Sequence, residues 1–130
     1  MGVDQPAPYS RGYEPILHRV ACKRGLCSDA GITLYEVEVV HGANLEQTLN
    51  VYCRFSKFIT LTKLLADSVE EMPPLPAKTA ALHGAHDAAF VERRVAGLDD
   101  FLKMLLHAVP DTSKCAPLLE FLNLVPGWGT

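Results

Sequence analysis

Two arginines that lie among apolar and aromatic residues are the side chains of this sequence best suited to chemistry. Arg54 lies in NVYCRFSKF (residues 50–58), and Arg94 lies in FVERRVAGLDDFLKMLL (residues 90–106). A guanidinium carries its N–H donors in a planar fork that matches the oxygens of a phosphate or carboxylate. An arginine beside apolar surface therefore either binds an anionic group or keeps its charge on a solvated face. The elements that carry the two residues decide between these alternatives.

Net charge and charge distribution narrow the class of ligand. The 130-residue chain has a formal net charge of −3, which argues against a general nucleic-acid-binding protein, because such proteins normally present a broad basic surface. The cations are nevertheless grouped, as Arg19, Lys23 and Arg24, then Arg54, Lys57 and Lys63, then Arg93 and Arg94. A local cationic pocket on an acidic protein favours a compact anionic ligand over a polymer.

Signals for catalysis, metal binding and membrane insertion are missing from the sequence. The four cysteines form no C-x-x-C pair and follow no secretory signal, so we expect reduced thiols in a cytosolic protein. His83 and His86 have a metal-like spacing without further clustered ligands, so we predict no metal site. No nucleophile elbow or glycine-rich phosphate loop occurs, and we predict neither enzyme activity nor a cofactor. No apolar run is long enough to span a bilayer, so any membrane contact is expected to be peripheral and reversible.

Residue patterns predict three strands in the first half of the chain. We expect the first strand over residues 16–24 and the second over residues 32–40, where YEVEVV (residues 35–40) begins with alternating apolar and acidic residues. The third strand is expected in VYCRF, residues 51–55, and the link 41–50 is long enough for a hairpin loop. The prediction is a small antiparallel meander.

Helical spacing begins after the third strand. The residues that recur at this spacing are Phe58, Leu61, Leu65 and Val69. We predict Ser56 as the helix N-cap and an end before PPLPAK (residues 73–78), because proline is excluded from a helix interior. Residues 88–109 give the strongest helical pattern, and a last helix is expected over residues 118–124, ending at the Pro-Gly pair 126–127.

The long helix distinguishes its two adjacent arginines. At about 100° per residue, six residues form one apolar stripe, namely Val91, Val95, Leu98, Leu102, Leu105 and Val109. Arg93 falls on the opposite, charged arc and is an ordinary solvated cation. Arg94 projects from the flank of the stripe, where a cation loses solvation and needs a partner. A neighbouring carboxylate or a snorkelling side chain would meet that need as well as an anionic ligand would.

The order of these elements and motifs resembles the phox-homology (PX) domain over residues 16–124. The likeness is carried by two strands, VYCRFSKF, a helix, PPLPAK, and a helix with FVERRVAGLDDFLKMLL; the sorting nexins are the most similar kind of relative. The resemblance implies an α+β fold, in which a three-stranded antiparallel meander packs against a helical subdomain. We expect a loose arm over residues 1–14, the domain over residues 15–125 and a tail over residues 126–130.

The resemblance also implies a ligand, most often phosphatidylinositol 3-phosphate, in a groove between the sheet and the helices. By position, Arg54 would hold the 3-phosphate, Phe55 would pack against the inositol, Lys78 would meet the 1-phosphate, and Arg94 would donate to the 4- and 5-hydroxyls. The implied protein is cytoplasmic and binds endosomal or other endomembranes peripherally, in trafficking or sorting, with a trafficking-complex protein as a further partner. Cys53 stands where many family members carry a second cation, which favours the alternative of a PX-fold protein-interaction module with weak or no lipid binding.

Overall fold

The computed structural model of the chain describes residues 16–42, 47–76 and 88–124. Three strands form one antiparallel sheet in sequence order, with β1 at Leu17–Cys27, β2 at Thr33–His41 and β3 at Gln47–Cys53. The helices follow the sheet in the chain, so the predicted α+β meander with a helical subdomain is confirmed.

The third strand begins earlier than the sequence pattern indicated. Residues 47–50, which were expected in the hairpin loop, pair with the end of β2. The inward positions of β3 are Leu49, Val51 and Cys53, whereas Thr48 and Asn50 face solvent. The inward-facing positions Val51 and Cys53 are therefore continued by Leu49, although most of residues 47–50 are polar.

The first helix, α1, spans Phe55–Leu65, and the prediction that Ser56 caps it is wrong. Arg54 is the N-cap, with an extended backbone (φ −78°, ψ 161°) and no capping hydrogen bond from its side chain. Packing favours this start, since Phe55 is itself half-buried against the core, ahead of the buried face of Phe58, Leu61 and Leu65.

The other helices are α2, at Ala88–Ala108, and α3, at Ala116–Phe121, with a short 3-10 helix at Thr112–Lys114 before α3. The predicted end of the last helix at the 126–127 pair is wrong. Asn123 adopts a left-handed backbone (φ 60°), and the N–H of Leu124 donates to the carbonyl of Leu119 at 2.8 Å. This Schellman arrangement satisfies the last carbonyls and ends α3 within the described residues.

The core lies between one face of the sheet and the helices. Phe58 of α1 sits at its centre, with its ring edge-to-face against Phe101 at 6.5 Å and Phe121 at 5.1 Å. Two glycines let α2 approach its neighbours closely. A Cβ on Gly25 would lie 2.5 Å from Val91 Cγ1, and one on Gly97 would lie 2.9 Å from the Cβ of Pro76. Helix α2 is thereby held against both β1 and the proline-rich segment.

Among residues 16–42, 47–76 and 88–124, no helix has the length and hydropathy needed to cross a membrane.

Candidate functional site

Arg94 is the centre of the candidate site, and it is buried. Its side chain projects from the second turn of α2 and is only 7% exposed, whereas the adjacent Arg93 is exposed. The helical wheel placed Arg94 on the flank of the apolar stripe of α2. In the structure, the guanidinium lies deeper than the flank of that stripe. It is buried where α1, α2 and the sheet meet.

Two aromatic rings hold the Arg94 guanidinium. Its central carbon lies 3.8 Å from the centroid of the Phe55 ring and 4.5 Å from that of Phe90. Phe90 precedes Arg94 by one helical turn, so the two share a face of α2, while Phe55 is the first residue of α1. Each contact is within the range of a cation–π interaction, which is strongest where the cation is desolvated.

Tyr35 of β2 forms the wall of the site on the sheet side. Its side chain is fully buried, and burial raises the pKa of its phenol. The nearby Arg94 guanidinium opposes that rise, because its positive charge favours the ionised phenolate. Tyr35 pairs with Cys53 at the end of β3 and with Gly25 of β1. The glycine leaves room for the tyrosine ring, since a Cβ there would lie 3.3 Å from Tyr35 Cε1.

Arg54 lies at the edge of this cluster. It connects the last residue of β3 to Phe55, and its side chain is exposed. The ring of Phe55 is half-buried and packs against the core. An exposed cation thus directly precedes the ring on which a buried cation is stacked.

The other residues implied by the resemblance have different outcomes. Lys78 lies outside the described residues, as do His83 and His86. Cys53 points into the core rather than into a groove, and burial raises the pKa of its thiol to about 11, an effect partly offset by the nearby charge of Lys57. A cation in place of Cys53 would face the apolar core. Cys53 is therefore a core residue, and its presence does not mean that a ligand-binding cation has been lost.

Sequence reasoning missed two participants, Phe90 and Tyr35. Phe90 was not singled out in the sequence, although its position four residues before Arg94 predicts contact between the two side chains. Tyr35 was recognised only as the first residue of the alternating stretch YEVEVV. Its proximity to Arg94 depends on the packing of α2 against the sheet, which no local pattern contains.

This arrangement suits a compact anionic or polyhydroxyl ligand. A fixed guanidinium donates to oxygens in pairs, an exposed arginine supplies charge at the edge, and aromatic surface excludes water beside them. Among the described residues, no three potential metal-ligating side chains come together. The chemistry of the site is therefore that of an anion-binding pocket.

Comparison with known proteins places this chain in a family. The PX-domain family model matches residues 43–124, which is more than half of the chain, so the chain belongs to the PX-domain family. PX domains are phosphoinositide-binding modules that associate peripherally with membranes and are typically non-catalytic. The first two strands precede the matched residues but are present in the fold.

A solved structure supports the architecture over a longer stretch. The X-ray structure of "a designed CISK-PX domain" superimposes with a TM-score of 0.67 and covers 80% of this chain and 97% of its own, at 24% identity. At that identity the likeness establishes the fold alone. No curated protein sequence matches the chain.

Proposed function

We propose that this chain binds phosphatidylinositol 3-phosphate and directs its host protein to endosomal membranes in trafficking or sorting. The observation that carries the proposal is the buried Arg94 guanidinium, stacked 3.8 Å from the Phe55 ring, with Arg54 immediately before that ring. The resemblance assigns these three residues to one head group, and the fold brings two of them into contact.

The stacking supports a specific recognition mechanism. Because the two rings restrain the guanidinium, it loses little further conformational freedom when it donates to inositol hydroxyls. Arg54 is the cation for the 3-phosphate and is free to form short, charge-assisted bonds, each worth roughly 1.5–3 kcal/mol. Lys78 completes the proposed set at the 1-phosphate.

A panel of liposomes tests this function. Each contains one phosphoinositide isomer in a neutral background, and co-sedimentation is measured for the parent, Arg54→Ala and the control Arg93→Ala. We expect preference for the 3-phosphate isomer, loss of that binding in Arg54→Ala and retention in Arg93→Ala, with similar melting temperatures. Preference for another isomer, or equal losses in both variants, would overturn the proposal. The endosomal part requires that a fluorescent fusion colocalise with endosomes and that Arg54→Ala disperse it.

A second function is favoured by the same burial of Arg94. A guanidinium that contacts two rings and a tyrosine also holds α1 to α2, as a purely structural residue would. A PX-fold protein-interaction module with weak lipid binding would retain that contact. Such a module would show no isomer preference in the liposome panel, so one experiment separates the two functions.

A further inference from the structure

A second cationic cavity lies between the start of β1 and the last turns of α2. Its volume is about 260 Å³, and its polar lining comprises His18, Arg19, Lys103 and His107. Leu17 and Leu106 contribute apolar surface. None of these residues belongs to the candidate head-group site.

Local backbone geometry brings the four polar side chains to one place. The pairing of β1 with β2 is irregular between Leu17 and Arg19, so His18 is an extra residue in the strand. Such a bulge re-aims side chains and allows both His18 and Arg19 to be exposed beside the cavity. Lys103 and His107 are four residues apart and therefore share one face of α2.

The described residues that line the cavity include two permanent cations, Arg19 and Lys103, and no carboxylate. Lys103 is paired with Asp99 at 2.5 Å, and the same carboxylate accepts the backbone N–H of Cys22 at 2.9 Å. Within residues 16–42, 47–76 and 88–124, no carboxylate lies within salt-bridge distance of Arg19. Asp111, which precedes the 3-10 helix, accepts hydrogen bonds from the backbone N–H and hydroxyl of Ser113.

The cavity lies at the opposite end of the domain from Arg94. Thirteen residues of α2 separate Arg94 from His107, or about 20 Å at the rise of an α-helix. Along β1, seven residues separate His18 from Gly25, which is paired with Tyr35, or about 23 Å. Both distances exceed twice the Debye length of about 8 Å at physiological ionic strength. If the proposed function holds, the cavity therefore faces solution while the head-group site faces the bilayer.

A neighbouring cleft with a mixed apolar and acidic lining gives room for a ligand larger than an ion. This cleft, of about 750 Å³, is lined by Met72, Pro73 and Met104, and His107 lines both it and the cationic cavity. Met104 is 50% exposed. Glu70 and Glu71 also line the cleft. Because these carboxylates repel negative charge, an acidic group of the ligand is directed toward Arg19.

We propose that the cationic cavity binds the carboxylate or phosphate of an acidic peptide segment in a protein partner, with a bulky apolar residue of that segment in the adjoining cleft. The inference rests on the proposed function only for the direction in which the cavity faces. Its chemistry is that of Arg19 and His107, beside His18, whose Nε2 is hydrogen-bonded to the carbonyl of Gly42 at 2.5 Å. A domain so built would hold a bilayer at one end and a protein at the other.

Backbone amide NMR of the full chain tests this inference. The probes are an acetylated Glu-Leu-Glu-Glu-Leu-Glu peptide, its versions with phosphoserine or Gln in place of Glu, inorganic phosphate, and phosphatidylserine vesicles. We expect the two acidic peptides to shift amides 17–20 and 103–107, and the Gln peptide to leave them in place. Arg19→Gln should weaken acidic-peptide binding at least fivefold, while the matched control Arg93→Gln should stay within twofold of the parent.

Several outcomes would overturn the inference. One is that neither acidic peptide shifts the amides, or that inorganic phosphate shifts them and the peptides do not. Another is that Arg19→Gln and Arg93→Gln lose equal affinity for the acidic peptides. A third is that the vesicles shift amides 17–20 more than the peptides do. Thermal melting verifies that both variants remain folded. A soluble phosphatidylinositol 3-phosphate head group, titrated separately, reports on Arg54 and Phe55. Failure of lipid binding is thereby distinguished from failure of the cationic cavity.

Discussion

Replacing Arg94 with methionine should separate ligand binding from folding. Methionine keeps most of the side-chain volume and its packing on Phe55 and Phe90, but it removes the charge and every N–H donor. We expect Arg94→Met to lose head-group affinity while the free energy of unfolding changes little. Arg93→Met is the matched control, because it removes the same charge one residue away on the exposed arc of α2.

Opposing contributions determine how much Arg94→Met should change the free energy of unfolding. Two cation–π contacts, at 3.8 Å and 4.5 Å, contribute roughly 0.5–2 kcal/mol each. Keeping a guanidinium buried costs several kcal/mol of desolvation, and replacing buried charges with apolar residues is often neutral or stabilising by about 1–4 kcal/mol. The net change in unfolding free energy should therefore fall within about 2 kcal/mol of zero. Losing charge-assisted donors to the ligand costs roughly 1.5–3 kcal/mol, about 10- to 150-fold in affinity.

Urea unfolding followed by fluorescence and titration with a soluble phosphatidylinositol 3-phosphate head group provide the two measurements. The reasoning is refuted if Arg94→Met binds the head group as the parent does, or if it loses more than about 4 kcal/mol of stability, as a broken buried network would. Equal loss of affinity in Arg93→Met would point to diffuse electrostatic attraction. Raising the salt concentration should weaken such attraction more than a short, buried contact.

Three further predictions concern the core. Gly25→Ala should lower the unfolding free energy by about 1–3 kcal/mol, measured in urea, because the new methyl would meet Val91 Cγ1 at 2.5 Å; unchanged stability would show that the valine relaxes freely. In the native protein at pH 8, iodoacetamide should alkylate the exposed Cys27 before Cys22 and Cys53, whose thiol pKa values burial raises to about 12 and about 11; equal rates by mass spectrometry would contradict this. Because these folded-state pKa values exceed the ordinary value of 9.0, their contribution to stability is present below pH 9 and is lost as pH rises toward 12; the double Cys→Val variant should show a flatter decline.

The fold was largely predictable because its periodic signals are strong. The alternation in β2 and the long apolar stripe of α2 predicted the bounds of both elements to within a residue or two. The order of the motifs indicated the family. Boundaries failed where burial competed with local rules. The side chain of Ser56 suits an N-cap, yet the helix starts two residues earlier than that cap would place it, because Phe55 packs against the core. Val69 is buried at helical spacing, but it lies beyond Leu65, where α1 ends.

The candidate site was predictable in its residues but not in its geometry. The helical wheel marked Arg94, and the family pattern marked Arg54 and Phe55. The stacking of Arg94 on Phe55 requires α1 and α2 to meet, and these helices are separated by more than twenty residues. The inward orientation of Cys53 follows from the period of β3, which was not recognised because residues 47–50 are mostly polar.

The hydrogen bond from the Cys22 amide to Asp99 has a consequence for self-association. Strand β1 forms one edge of the sheet, and the outward amides of an edge strand are a template on which another chain can add a strand. Asp99 of α2 already accepts one of those amides at 2.9 Å, and the helix packs along the same strand. A carboxylate on a helix thus occupies a position that an aggregating strand would need, which protects this edge from fibre-like growth.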